Sequence, residues 1–383
     1  MPAPEIFFLT AEPSADLHVS MLAAELLRRR AYRLTGSGGA LMRRAGVATD
    51  FDSTSWATMG PVQAVKRIPE ALAMRRRLLR LLAQRRPDLL VLVDFGGFNM
   101  HLGRRIRRFP WHLPILYYFP PKSWDQSEWD RSDLGRVADV VATPFSWSEA
   151  LLRKHDIEAH WVGHPVVDRV QPVADQAALR QELGLPTAER YVGLLPGSRR
   201  CERALMGPQM IGAALHLLAD GGYHFLWSPG PPGTTDRLAI PAALRAHLTV
   251  VDDSVRLLQA ADLTLTSFGT TTLEATAAEA PIIGMYRGTA VETLTFMMMR
   301  LPTKLYAMPN IILGREAIPE LVLRQSDAWR LAQRARGLFD DPAALPRMKQ
   351  DLHEACAALG PPGAIVRTAD LIEATLARGG ATP

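Results

Sequence analysis

Short apolar runs recur along this chain, each followed by a loop and then by a stretch with helical spacing. In the first half the runs at 6–9, 32–35, 89–93, 115–119, 137–143 and 160–162 read as strands. Residues 89–93 are apolar without interruption, the pattern of a parallel strand buried on both faces. Leu17, Met21, Leu22, Leu26 and Leu27 recur at helical spacing and predict a helix over 17–30. The second half repeats the theme, with strands expected at 191–195, 224–227, 248–251, 263–266 and 282–285. Alternation of this kind predicts βαβ units and doubly wound parallel sheets. Gly163-His164-Pro165 interrupts the pattern, residues 166–174 read as a linker, and a helical tail from about 343 has no strand after it. The expected organisation is an N-terminal Rossmann-like domain at 1–168, a second at 169–342, and a tail at 343–383.

A chain of 383 residues with 48% hydrophobic positions has ample material for two cores and none of the signature of disorder. Two cysteines, Cys201 and Cys356, build neither a disulfide framework nor a metal cluster, which fits a reducing cytoplasm. No metal-ligand spacing occurs among the ten histidines. No run reaches the roughly 18 apolar residues of a membrane span, and the first apolar run lacks the basic flank of a signal peptide.

The net charge of +5 is unevenly placed. Lys66, Arg67, Arg75, Arg76, Arg77, Arg80, Arg85 and Arg86 face only Glu70, with leucines interleaved, in an amphipathic stretch that Pro69 is expected to break. A solvated helix face and attachment to an anionic membrane surface both fit this segment. Nucleic acid fits worst, since no aromatic-basic platform accompanies it.

The chemistry concentrates in loops at strand ends. Leu194-Leu195-Pro196-Gly197-Ser198-Arg199-Arg200, with Glu202, turns from a strand through glycine into a helix, and so aims backbone N–H groups and a helix dipole at an anion. Arg199 adds a planar cationic fork suited to phosphate oxygens. Gly269-Thr270-Thr271-Thr272-Leu273-Glu274 is a second such turn, in which Glu274 suits either a ribose hydroxyl pair or its own helix terminus. Asp94 follows a buried strand in a glycine-flanked loop, the place for a general base whose pKa burial would have to raise.

Together these segments are recognisable. The two turns, Tyr286-Arg287, Met308-Pro309-Asn310-Ile311-Ile312-Leu313-Gly314-Arg315-Glu316, Pro319-Glu320-Leu321, Val93-Asp94 with Phe98-Asn99, Met59-Gly60, and Val162-Gly163-His164-Pro165 with Asp168 resemble the lipid-A-disaccharide synthase family. The resemblance runs from about Glu12 to Leu321. It implies a GT-B glycosyltransferase: two Rossmann-like domains facing a cleft, with C-terminal helices crossing back to the first. The implied reaction moves 2,3-diacylglucosamine from its UDP ester to 2,3-diacylglucosamine 1-phosphate, releasing UDP and forming the lipid A disaccharide 1-phosphate. The implied setting is cytoplasmic and peripheral on the inner membrane, with the 66–86 segment on the anionic surface. No cofactor, metal or nucleic acid is expected, and a homodimer is compatible with the resemblance.

On this resemblance Asp94 is the base, and Arg199 stabilises the leaving diphosphate with Ser198 and the turn Gly269-Thr270-Thr271. Glu12, Ser14 and Asp16 match the family's first loop and are candidates for the acceptor sugar or its phosphate region; Asn99, Glu202, Glu274, Arg287, Asn310, Arg315 and Glu316 are further candidates for substrate binding. Arg287 and Arg315 fit pairing with substrate phosphates or with carboxylates such as Glu316 and Glu320; Asn310 fits uracil, ribose or a loop turn. The chain departs from the family where Ala11 and Ala15 replace glycines, Gly97 an aspartate and Phe268 a serine, and in the 119–126 loop. Two other readings stay open: a diverged GT-B enzyme with another acceptor or an epimerase activity, and a non-catalytic nucleotide-sugar-binding protein at the membrane.

Overall fold

A computed structural model describes residues 3–53, 68–128, 130–188, 190–230, 239–288 and 305–379. Met59-Gly60, Lys66 and Arg67 lie outside the described residues. The chain falls into two units, Met1–Asp168 with Leu359–Pro383, and Arg169–Ala358.

In the first unit, strands β1 (Glu5–Leu9), β2 (Arg33–Ser37), β3 (Ala48–Phe51), β4 (Leu89–Val93), β5 (Ile115–Tyr118), β6 (Val140–Thr143) and β7 (Ala159–Trp161) form a parallel sheet in the order β3-β2-β1-β4-β5-β6-β7. The helices are α1 (Pro13–Arg29), α2 (Ala40–Arg44), α3 (Ile68–Arg85), α4 (Gly96–Ile106), α5 (Ser132–Gly135), α6 (Ser146–Arg153) and α7 (Val166–Arg169). Successive side chains of a strand point to opposite faces, and β1 shows the consequence. Ile6 and Phe8 pack with Val19, Leu22 and Leu26 of α1, whereas Phe7 and Leu9 pack with Leu78 and Leu82 of α3 and with Leu102 of α4. Pro69 does not break α3, because it stands in the first turn, where no helical hydrogen bond needs its N–H.

The second unit contains α8 (Gln176–Glu182), β8 (Arg190–Leu195), α9 (Arg200–Leu218), β9 (Tyr223–Trp227), α10 (Ala242–Arg245), β10 (Leu248–Val250), α11 (Ser254–Ala260), β11 (Leu263–Ser267), α12 (Thr270–Ala278), β12 (Ile282–Tyr286), α13 (Met308–Leu313), β13 (Glu320–Val322), α14 (Ala328–Asp340) and α15 (Ala344–Ala357). Its parallel sheet runs β10-β9-β8-β11-β12-β13. Both sheets reverse strand order once, between β1 and β4 and between β8 and β11. At such a switch point two neighbouring strands send their loops to opposite faces, leaving a crevice at their carboxyl ends.

The tail expected at 343–383 is divided. Helix α15 stays with the second unit, packed against α12 and α13 and tied by Arg315–Asp351 at 2.9 Å. Only the last helix, α16 (Ala364–Gly379), belongs to the first unit, where Ile365, Ala369, Ile372 and Leu376 join the core that α1 covers. Asp168 fixes its start: Oδ1 accepts from the N–H of Gly363 at 2.6 Å, and Oδ2 from that of Ile365 at 2.8 Å.

Candidate active site

The second unit's switch point holds both predicted anion turns. Leu195 of β8 pairs with Thr266 of β11, so the two loops start from adjacent strand ends. Gly197 sits at φ 112°, and a Cβ there would lie 2.4 Å from Oε2 of Glu202 and 2.9 Å from Oγ of Ser267; only glycine fits. Arg199 is the N-cap of α9 and a third exposed along its side chain. Its Nη1 donates to Oε1 of Glu202 at 2.9 Å, and its N–H donates to Oε2 of Glu202 at 3.2 Å. Glu202, 6% exposed, therefore holds the loop rather than offering itself to a substrate.

Gly269 opens α12 at φ 131°, with open space where a Cβ would be, and Thr270 and Thr271 stand half-buried beside it. Thr272 is buried and donates its hydroxyl to the Gly269 carbonyl at 2.8 Å, which fixes the turn. Of the two readings of Glu274, a ribose hydroxyl pair or its own helix terminus, the second does not hold. Its carboxylate takes Arg169 on Oε1 and the hydroxyl of Ser254 on Oε2 at 3.2 Å. Arg169 and Ser254 had no sequence signal, because each is brought to Glu274 by tertiary folding alone.

The first unit's switch point holds Glu12, Ser14 and Asp94. Leu9 of β1 pairs with Leu92 of β4, which sets the loop after Leu9 next to the elbow at Asp94. Asp94 and Phe95 both take left-handed conformations, at φ 47° and 48°. Two such non-glycine residues in succession cost about 1–3 kcal/mol each and persist only where the surroundings over-determine them. Here they do. The Asp94 N–H donates to Tyr118 O at 3.0 Å, and the Asp94 carbonyl accepts from Asn99 Nδ2 and from the Tyr117 hydroxyl, both at 2.8 Å. Burial, with the nearby Asp94 carboxylate, pushes the Tyr117 hydroxyl far above its ordinary range, so it remains a donor. Gly96 is equally constrained, since a Cβ would lie 2.4 Å from Cβ of Pro121. Asp94 is half-buried in this elbow. Glu12 is the half-buried N-cap of α1, and Ser14 is half-buried in its first turn.

Several predicted ligand contacts are instead internal. Asp16 is 4% exposed and receives the N–H groups of Gly39 at 2.7 Å, Leu41 at 3.1 Å and Met42 at 3.2 Å, so it caps α2. Asn99 is fully buried and serves the Asp94 elbow. Asn310 is fully buried too. It donates to Ile318 O and to Glu320 Oε1, and accepts from the N–H groups of Ala317 and Ile318, all within 2.9 Å. Nothing of it is left for uracil. Arg315 pairs with Asp351 and Glu354, and Glu316 with Arg334 at 3.3 Å, all near the surface. Arg287 follows β12, half-buried, with no ion pair among the described residues.

A family model described as lipid-A-disaccharide synthetase matches residues 6–363. The chain belongs to the lipid-A-disaccharide synthase family. A synthase of Anaeromyxobacter dehalogenans (strain 2CP-C) is 32% identical over 377 residues, 96% of each chain. Among solved structures, the S. aureus MnaA–UDP complex (TM-score 0.64, 12% identity, 99% of each chain) and the kitacinnamycin glycosyltransferase (0.62, 14%, 98% and 100%) share its fold. The protein is thus a GT-B glycosyltransferase of lipid A biosynthesis. Its departures from the family pattern fit the fold locally. Ala11 and Ala15 are buried, 1% and 2% exposed, within the first unit's packing. Gly97 faces open space, so no packing demands glycine there. Phe268 lies over Gly284, where a Cβ would come within 2.5 Å of its ring, and stacks on Tyr306 at 6.2 Å.

Proposed function

We propose that this protein transfers 2,3-diacylglucosamine from UDP-2,3-diacylglucosamine to 2,3-diacylglucosamine 1-phosphate. The observation that carries the site assignment is topological: Arg199 and the Gly269 turn flank the switch point of one sheet, and Asp94 flanks that of the other. In this reading the second unit holds the donor. The dipoles of α9 and α12 and the guanidinium of Arg199 stabilise the charge that gathers on departing UDP. Glu202 holds that guanidinium through Nη1, so the diphosphate shares the guanidinium with Glu202 or displaces it. Glu274, 8% exposed with Arg169 and Ser254 on its two oxygens, is assigned to the ribose hydroxyls in this reading. Asp94 accepts the proton of the attacking acceptor hydroxyl, its backbone fixed by Tyr117 and Asn99. Glu12 and Ser14 contact the acceptor sugar, and Arg287 a substrate phosphate. No metal or cofactor enters this scheme.

The assay supplies both sugars and reads UDP and disaccharide separately. Arg199→Ala is expected to lower kcat/KM by about 100- to 1,000-fold, the usual cost of a lost charge-stabilising donor. Asp94→Asn should lower kcat at least 100-fold and leave UDP affinity unchanged. Full disaccharide synthesis by both variants would reject the assignment, and UDP release without disaccharide would point to another acceptor.

We also propose peripheral attachment to the cytoplasmic face of the inner membrane. No helix among the described residues is long and apolar enough to cross a membrane. Arg76, Arg77 and Arg80 of α3 are exposed, as are Arg86, Arg105 and Arg108 beyond it, while between 68 and 112 the only acids are Glu70, Asp88 and Asp94. Trp111, stacked on Phe109 at 5.3 Å and beneath Arg86 at 5.6 Å, gives this basic face an amphipathic edge. Such a face suits anionic lipid headgroups, and acylated substrates give it a reason to be there. A homodimer remains part of this reading only as an expectation of the family.

A further inference from the structure

One peptide plane in the β8–α9 loop is gripped from both sides. Its N–H, on Arg199, donates to Oε2 of Glu202 at 3.2 Å. Its carbonyl, on Ser198, accepts from Nη1 of Arg203 at 2.6 Å. Both gripping residues stand in the first turn of α9, each 6% exposed. The N–H and C=O of one peptide point in opposite directions. Were this plane to turn over, the Ser198 carbonyl would leave Arg203, and its negative end would face the Glu202 carboxylate that the Arg199 N–H now meets. A charged donor on that carbonyl is worth about twice a neutral hydrogen bond, so Arg203 opposes the rotation more than a neutral side chain would. Glu202 joins this peptide to the Arg199 guanidinium, because its Oε2 takes the N–H and its Oε1 takes Nη1 at 2.9 Å.

We propose that Arg203 is a positioning residue for the donor diphosphate: it never touches the ligand, but holds the Ser198–Arg199 peptide in the one orientation that presents the Arg199 guanidinium to a nucleoside diphosphate. The inference rests on the donor reading of this loop. It assigns to Arg203 a share of UDP affinity and of the donor KM, and none of the acceptor KM.

The test compares Arg203→Gln and Arg203→Lys in the full chain, with Arg199→Ala alongside. Thermal unfolding reports whether each is folded, calorimetry gives the UDP dissociation constant, and steady-state kinetics gives the KM of each substrate. UDP binding is expected to weaken about tenfold in Arg203→Gln and less in Arg203→Lys, which keeps the charge but not the fork. The donor KM should rise in step and the acceptor KM stay flat. If only one of the two variants folds, that variant decides. UDP binding within twofold of the parent in every folded variant, or equal shifts in both KM values, would overturn the inference. Should Arg199→Ala also keep its UDP affinity, the donor reading itself falls; should it lose affinity while the Arg203 variants do not, only the inference falls.

Discussion

Asn310 and Gly97 show how differently two residues of family-like motifs bear on the molecule. Each polar atom of the Asn310 amide has a buried partner, and Glu320 beside it also receives the N–H of Ala307 at 2.7 Å. Removing such a group strands several buried donors and acceptors at once. Asn310→Ala is therefore expected to destabilise the protein by about 2–4 kcal/mol, measured by urea unfolding, with the UDP affinity of the folded protein unchanged. Gly97→Asp has room for its side chain and should cost no more than about 0.5 kcal/mol in the same experiment. A large loss there would mean that the elbow depends on glycine at 97. Neither role is written in local sequence. The partners of Asn310 lie 7 to 10 residues away, and those of Asp16 lie 23 to 26 away. An Asn or Asp in the first turn of a helix reads the same whether it meets a ligand or a distant backbone.

At the scale of elements, the attachment of α16 is a charge network as well as an apolar contact. Arg29 of α1 donates to Asp370 at 2.6 Å and Glu373 at 2.9 Å, and the Tyr32 hydroxyl donates to Glu373 at 2.6 Å. Hydrogen bonds from Arg28 and then Arg29 hold Glu25 at a pKa of about 2, and those from Tyr32 and Arg29 hold Glu373 below its usual value. A carboxylate depressed in the folded state adds stability above its unfolded pKa and loses it as pH falls through its folded one. Urea unfolding between pH 5 and pH 2 should thus show stability falling steeply in the parent protein and less steeply in Arg29→Ala. The same substitution should cost about 1–2 kcal/mol at pH 7. Equal slopes would remove Arg29 from this role. Strands such as β4 and β8 were legible in the sequence, because burial on both faces leaves β4 no polar position and β8 only Arg190 at its start. Strands β3 and β13 were not: each is an edge strand of three or four residues, with Asp50 or Glu320 inside it, and only its neighbour makes it a strand. The division of the tail was equally hidden, since α15 and α16 have similar amphipathic patterns and only their partners differ.

For the whole molecule, the basic face of the first unit predicts a salt-dependent affinity for anionic bilayers. Replacing Arg75, Arg76 and Arg77 by Gln should lower co-sedimentation with phosphatidylglycerol vesicles at least fivefold at 0.1 M salt, at roughly 1 kcal/mol for each cation near the surface. Binding to neutral vesicles should stay weak, and unchanged binding to anionic ones would remove the segment from that role. The return of α16 to the first unit governs how the protein is born. Residues 1–168 leave the ribosome about 190 residues before the helix that completes their core. At about 5–20 residues per second that is a delay of roughly 10–40 s. For that interval Tyr118, Ala142 and Val162 lack the apolar cover that α16 later supplies. The unit made second can finish folding first, and the nascent first unit is the natural client for a chaperone.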